Sequence, residues 1–144
     1  VDAETVRALS DGAGAGFTGL VVSPRAVDQA LLVALAGLVG PSGLVLHAGP
    51  RPARGEGWRA LRCDPAAGIP VRSHIADFAV VIGAVGLGDV AAEVRRVLAP
   101  RGDARVLVAG AGAAAIEALA DVGLIAPRRL DAGADGIVLV ARGP

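Results

Sequence analysis

The side chains of this chain best suited to proton transfer, nucleophilic attack or metal binding are two histidines, one cysteine and the carboxylates near them. His47, Cys63, His74 and Asp77 invite reading as a metal set. Zinc sites, however, show short paired Cys or His spacings, and no pairing of that kind exists here, so no metal is expected. A Cys63–His nucleophile pair would need a base held beside the thiol, and nothing in the sequence supports one. Cys63 stands at the end of a predicted strand and is expected to be a small buried residue. No catalytic residue is assigned.

Two glycine patterns could cradle phosphates. Gly110-Ala111-Gly112-Ala113-Ala114-Ala115 follows a predicted strand and opens a predicted helix, as the G-x-G-x-x-A dinucleotide fingerprint does. Too little chain follows it for a complete βαβ unit, and Asp135, about 20 residues on, falls in a turn. Small residues that let a helix approach a sheet closely explain it better. A small NAD(P)-binding reductase would rest on Gly110 and Gly112 alone. Gly14-Ala15-Gly16-Phe17-Thr18-Gly19 matches G-x-G-x-x-G but precedes a strand, so it reads as a connector. Arg51, Arg54, Arg59 and Arg62 could hold a phosphate or an acidic partner surface. A solvated basic loop is the simpler reading, and Arg95-Arg96 and Arg128-Arg129 read as exposed faces.

These residues depend on elements that alternate between strand and helix. Val1 to Ser10 reads as a short helix broken by Asp11 to Gly16, and Leu20-Val21-Val22 as a strand. Pro24 suits a first helical turn, with Val27, Leu31, Leu35 and Leu38 at helical spacing until Gly40-Pro41. Gly43 to Leu46 is a second strand, 50–57 a loop too rich in Pro and Gly for helix, and Trp58 to Cys63 a third strand. Phe78 to Ile82 is continuously apolar, as in a strand covered on both faces. Asp89 is expected to cap a helix whose stripe is Val90, Val94, Val97 and Leu98, with Glu93, Arg95 and Arg96 toward solvent. After the turn at Pro100 to Asp103 come a strand at Arg105 to Ala109, a helix at Ala113 to Val122 stopped by Gly123, and a hairpin-like pair, Leu124 to Leu130 and Ile137 to Ala141. The spacing therefore predicts an α/β fold: a Rossmann-like, mostly parallel seven-stranded sheet with flanking helices and an antiparallel C-terminal edge. Helices follow the first, fourth and fifth strands, and the helix between the second and third is lost. A single domain over 1–144 is expected, without internal repeats.

Composition narrows the function classes. With 53% hydrophobic and 19% charged residues the chain can build a core, and disorder is excluded. Its 14 basic residues, all arginine, balance 14 acidic ones, so charge gives no case for nucleic acid or an anionic membrane. The richness in Ala, Gly, Val, Arg and Pro suggests a bacterial coding sequence. One cysteine excludes an intrachain disulfide and suits a reducing cytoplasm. The apolar run from Ala30 to Ala36 is too short to span a bilayer, no signal peptide is expected, and a cytoplasmic location follows. So apolar a chain is expected to meet a protein partner or a second copy of itself.

From Asp77 onward the pattern is Asp77-Phe78-Ala79-Val80-Val81-Ile82-Gly83, then Glu93-Val94-Arg95-Arg96-Val97-Leu98-Ala99-Pro100-Arg101-Gly102, then the tail Gly136 to Arg142. This resembles the C-terminal half of a class I, S-adenosylmethionine-dependent methyltransferase, with its "E-x-x-R-V-L-x-P-x-G" helix and turn. Cys63-Asp64-Pro65-Ala66-Ala67-Gly68-Ile69-Pro70 is similar to the family's "D-A-x-x-L-P" segment, whose Asp meets the adenine region. Asp77-Phe78 is similar to "F-D-x-V" with the order inverted.

The N-terminal third admits two registers. With Leu20 to Val22 as first strand, the following loop is Ser23-Pro24-Arg25, where the resemblance calls for a Gly-rich turn close to the cofactor. With Gly43 to Leu46 as first strand, His47-Ala48-Gly49-Pro50 replaces the family's "D-x-G-x" and the second strand is absent. In neither register does an acid stand ready for the ribose hydroxyls. The layout is similar to the methyltransferase-like domain of the anamorsin type, which has lost cofactor binding, although the Cys-rich tail of that protein is not found here. The expectation is a degenerate, non-catalytic binding, scaffold or regulatory domain with no cofactor. The alternative is an active methyltransferase using S-adenosylmethionine, with His47, Ala48, Gly49, Asp64 and Asp77 near the cofactor or its substrate.

Overall fold

The computed structural model describes residues 2–23, 29–83, 87–108 and 112–143. Its elements are α1 (Ala3–Ser10), β1 (Thr18–Val22), α2 (Gln29–Val39), β2 (Leu44–Gly49), β3 (Arg59–Arg62), β4 (Ala76–Val81), α3 (Leu87–Val97), β5 (Leu98–Val108), α4 (Ala113–Asp121), β6 (Ile125–Asp131) and β7 (Ile137–Arg142). The strands form one seven-stranded sheet in the order β3-β2-β1-β4-β5-β7-β6. β3, β2, β1, β4 and β5 are parallel, and β7 and β6 close the edge antiparallel. No helix links β2 to β3. The expected architecture is the observed one, including that loss.

Side-chain alternation divides the core. On one face Val21, Val45, Phe78, Val80 and Val138 pack with Leu9 of α1 and Leu31, Leu32 and Leu35 of α2. On the other, Leu20, Leu46, Ala79, Val106 and Leu139 pack with Val94 and Val97 of α3 and Leu119 of α4. Helices on both faces explain why β1, β2 and β4 read as unbroken apolar runs. Asp2 caps α1 by accepting the Thr5 N–H at 2.8 Å, and Thr5 Oγ1 sits 2.6 Å from Asp135 Oδ2, which ties α1 to the β6–β7 turn.

Several local expectations are corrected. Asp89 lies inside the first turn of α3, which starts at Leu87, so it is not the cap. Leu38 does not join the buried stripe of α2: it is 44% exposed, and Val33 is 59% exposed. Arg96 and Glu93 are not a solvated face, because both bind the segment before β4. β2 runs on to Gly49, past the expected end at Leu46, because the backbone pairing with β1 and β3 continues through His47 and Ala48. β5 begins at Leu98, and the Pro100–Gly102 turn bulges from it: between two paired positions β5 advances five residues where β4 advances two (Leu98 to Asp103 against Ala76 to Phe78). Gly102 is required there. A Cβ on it would lie 2.9 Å from Ala76 O and 3.1 Å from Asp77 O, so only glycine lets the turn cross the start of β4. Cys63 is half-buried, not buried. The readings placed on Pro24, Val27, Ala109, Gly110 and Ala111 fall outside the described residues.

Candidate functional site

In open parallel sheets ligands bind at the carboxyl ends of the strands where the strand order reverses, here between β1 and β4. The pairing settles the register of the N-terminal third. Thr18–Val22 is the first strand and lies between β2 and β4, while Leu44–Gly49 is the second. At the carboxyl edge the backbone ladder continues past the strands. Ser23 N–H donates to Ala48 O at 3.2 Å, Cys63 N–H to Gly49 O at 2.9 Å, and Ile82 N–H to Val22 O at 3.0 Å.

Gly49, the last residue of β2, stands where the fold's ribose acid would be expected. Any Cβ there would collide with the carbonyl oxygen of Ser23. The two strand ends therefore approach so closely that no side chain, acidic or otherwise, fits at this position without a backbone shift. Asp64 lies at the same edge. It is exposed, accepts the Ala66 N–H at 3.2 Å, and its carbonyl receives Ala67 and Gly68 N–H, so it organises the turn after β3. The neighbouring Cys63 thiol is pushed above its ordinary value, chiefly by burial, and is held protonated rather than as a nucleophilic thiolate.

His47 is fully buried within β2 and points to the α1–α2 face. Its Nδ1 accepts the Ala53 N–H at 3.0 Å, which places the ring proton on Nε2, and Nε2 has no hydrogen-bond partner among the described residues. Burial lowers its pKa, so the ring is neutral. The role this geometry gives His47 is to hold the connection that replaces the lost helix. Trp58 completes that connection: its Nε1–H donates to Ala53 O at 3.0 Å, and its indole lies where a side chain on Gly55 would have to go. Ala48 is buried on the opposite face of β2. Asp77 lies at the other end of the sheet, near the start of β4, where Oδ2 accepts the Thr18 N–H at 2.7 Å.

Of the five sequence candidates, the structure thus brings Gly49 and Asp64 to one edge, seals His47 and Ala48 in the core, and sets Asp77 at the opposite edge. Among the described residues no three of His, Cys, Asp and Glu are grouped so as to hold a metal ion. Gly112 matches the packing reading: a Cβ there would meet Val108 Cγ2 at 3.1 Å and Leu139 Cδ1 at 3.3 Å.

Two further groups escaped the sequence reading. Arg96 donates to Glu93 Oε2 at 2.7 Å, Ile69 O at 2.7 Å and Val71 O at 2.9 Å, while Glu93 Oε1 accepts the Ile69 N–H at 2.7 Å. The pair clamps the segment after Asp64 onto α3. Glu93 is held below the ordinary carboxylate value, first by its hydrogen bond from Arg96 and then by that from Ile69. The second group is Arg105, only 3% exposed, whose guanidinium lies 4.7 Å from the Phe78 ring centroid. The available signal for it was an arginine at the head of the apolar run Val106 to Ala109.

The sheet order, the antiparallel last strand and the helices on both faces can be set against known proteins. No family model matches the sequence, and no curated protein sequence does either. Solved structures do match in fold. A SAM-dependent methyltransferase from Aquifex aeolicus superposes with a TM-score of 0.73 at 17% identity, over 90% of this chain and 84% of that one. A TehB-like SAM-dependent methyltransferase from Corynebacterium glutamicum gives 0.71 at 17% identity, over 98% and 88%. A chain from the Haloferax volcanii complex of the Trm112 methyltransferase activator with a protein described as a methyltransferase gives 0.76 at 14% identity, over 98% and 89%. At these identities the likeness speaks to fold, and the fold of this chain is the class I methyltransferase-like Rossmann fold.

Proposed function

We propose that the chain is a methyltransferase-like domain that has lost S-adenosylmethionine binding and works as a non-catalytic binding, scaffold or regulatory protein of the cytoplasm. One observation carries the reading. The pairing makes β1 the first strand of the fold, and the sequence that follows it, Ser23-Pro24-Arg25-Ala26-Val27-Asp28, contains no glycine. Bringing several backbone N–H groups onto a ligand requires residues without side chains, and proline removes a donor outright. The end of β2 supports the same conclusion, since Gly49 has no room for a ribose acid and the next acid, Glu56, is exposed in the loop beyond. The layout remains similar to the anamorsin-type domain in this respect.

A protein partner or a second copy is the ligand this reading requires. α2 carries no charged residue from Gln29 to Val39, and Val33 and Leu38 present apolar surface to solvent. One fold relative comes from a complex with a methyltransferase activator, which is a precedent for this fold acting beside a second protein.

The second reading, an active methyltransferase, is favoured by Asp64. It lies exposed at the carboxyl edge beside Gly49, where the resemblance puts the adenine contact. Thermal melting with millimolar S-adenosylmethionine and S-adenosylhomocysteine separates the two. The proposed function predicts no change in Tm. A rise of several degrees, as expected for a ligand at about 100 times its dissociation constant, would favour the active enzyme.

A further inference from the structure

The amino-terminal edge of the sheet, opposite the crevice of the methyltransferase fold, holds a cleft of about 310 Å³. That volume is at the small end of metabolite sites. Its polar lining is unbalanced: Arg101, Arg105, Arg128 and Arg142 face Asp11, Asp77 and Asp103, four guanidinium groups against three carboxylates.

The carboxylates are already engaged. Asp103 takes Arg105 Nε–H at 2.8 Å and stands 3.8 Å from Arg142, Asp11 lies 3.3 Å from Arg128, and Asp77 accepts the Thr18 N–H at 2.7 Å. The guanidinium donors are only partly used. Arg105 spends Nε on Asp103 and Nη1 on Leu9 O at 3.1 Å, while its Nη2, beside Gly12, donates to no described residue. Arg101 has no hydrogen-bond or ion-pair partner among the described residues, and Arg142 is 60% exposed with one long contact.

The fold fixes these groups in place. Arg105 is buried and stacked on Phe78, whose ring in turn lies on Gly19, where a Cβ would collide with it. Arg101 is carried by the bulge that Gly102 alone can make against β4. Phe17 and Ala99 add apolar wall. An oriented, desolvated arginine with exposed arginines at the rim is the arrangement that recognises oxyanions.

We propose that this cleft binds a small ligand through a carboxylate or phosphate group, held by Arg105 Nη2 at the floor and by Arg101 and Arg142 at the rim. The site is independent of S-adenosylmethionine binding, since it lies at the other end of the strands.

Inorganic phosphate and benzoate, titrated separately into the whole chain at constant ionic strength and followed by amide NMR shifts, test it. Saturable shifts centred on Gly12, Gly102 and Arg105 with either probe are expected, phosphate alone indicating a phosphoryl ligand and benzoate alone a carboxylic acid. Arg101→Gln with Arg142→Gln should weaken binding at least about fivefold without unfolding the chain, because both side chains are exposed. Arg59→Gln, on the exposed edge strand β3, should bind as the wild type does. No saturable shift with either probe up to about 20 mM, or undiminished binding by the double variant, would overturn the proposal.

Discussion

His47 shows how a side chain with catalytic chemistry can be put to structural use. It is buried, neutral and, among the described residues, hydrogen-bonded through Nδ1 alone. Because its folded pKa lies below the ordinary 6.5, the unfolded chain binds the proton first as pH drops. Its contribution to stability is therefore complete above pH 6.5 and is lost as pH falls from there toward the lower folded value. Resistance of the wild type to denaturant should fall as the pH drops below about 6.5. His47→Leu should lose that dependence, although it frees the Ala53 N–H and lowers stability overall; an unchanged pH slope in the variant would count against the buried, neutral ring. Glu93 follows the same logic at lower pH. Its pKa is depressed below the ordinary 4.5, so its stabilisation is present above that value and lost as pH falls through the folded pKa. Glu93→Gln should flatten the acid limb of the stability curve, and hydrogen exchange at the Ile69 amide should quicken in Glu93→Ala.

At the scale of elements, close backbone approach and one aromatic ring decide the assembly. Phe78, the largest fully buried side chain, occupies the space that a side chain on Gly19 of the neighbouring strand would need. Gly19→Ala should cost about 1–3 kcal/mol by overpacking. Phe78→Leu in the same chain should recover part of that loss, since residues in contact do not add independently. Full additivity of the two in a double-mutant cycle would show that the ring and the glycine do not share that space. Arg96 acts between elements, tying α3 to Ile69 and Val71. With 33% of its side chain exposed, its removal as Arg96→Ala should cost about 1–2 kcal/mol, below the full value of buried charged hydrogen bonds. The "E-x-x-R" spacing was visible in the sequence, but its partners lie more than 20 residues away. Helical periodicity alone put both side chains in solvent, because it reports the face of a helix and not the loop that folds back over it.

Over the whole molecule the sequence disclosed architecture better than chemistry. Continuous apolar runs at Leu20–Val22 and Phe78–Ile82, and the helix stops at Gly40-Pro41 and Gly123, were enough for a parallel sheet with an antiparallel edge. The register of the first strands stayed open because Leu20–Val22 and Leu44–Leu46 are equally short and apolar; only their pairing order places β1 beside both β2 and β4. The candidate site was less legible for a related reason. His47, Ala48 and Gly49 are consecutive in sequence, yet strand alternation sends the first two to opposite faces of the core and leaves the glycine at the edge. The amino-edge arginines come from β5, β6, β7 and the Pro100 bulge, a grouping that no local pattern announces.

On the proposed function, the glycine-free sequence after β1 and the lack of room for an acidic side chain at Gly49 leave no cofactor site at the carboxyl edge. Calorimetric titration of the intact chain with S-adenosylhomocysteine, and then with S-adenosylmethionine, tests it most directly. No saturable heat is expected for either ligand up to about millimolar concentration. Stoichiometric binding at micromolar strength would contradict it and establish the carboxyl-edge crevice as a working cofactor site.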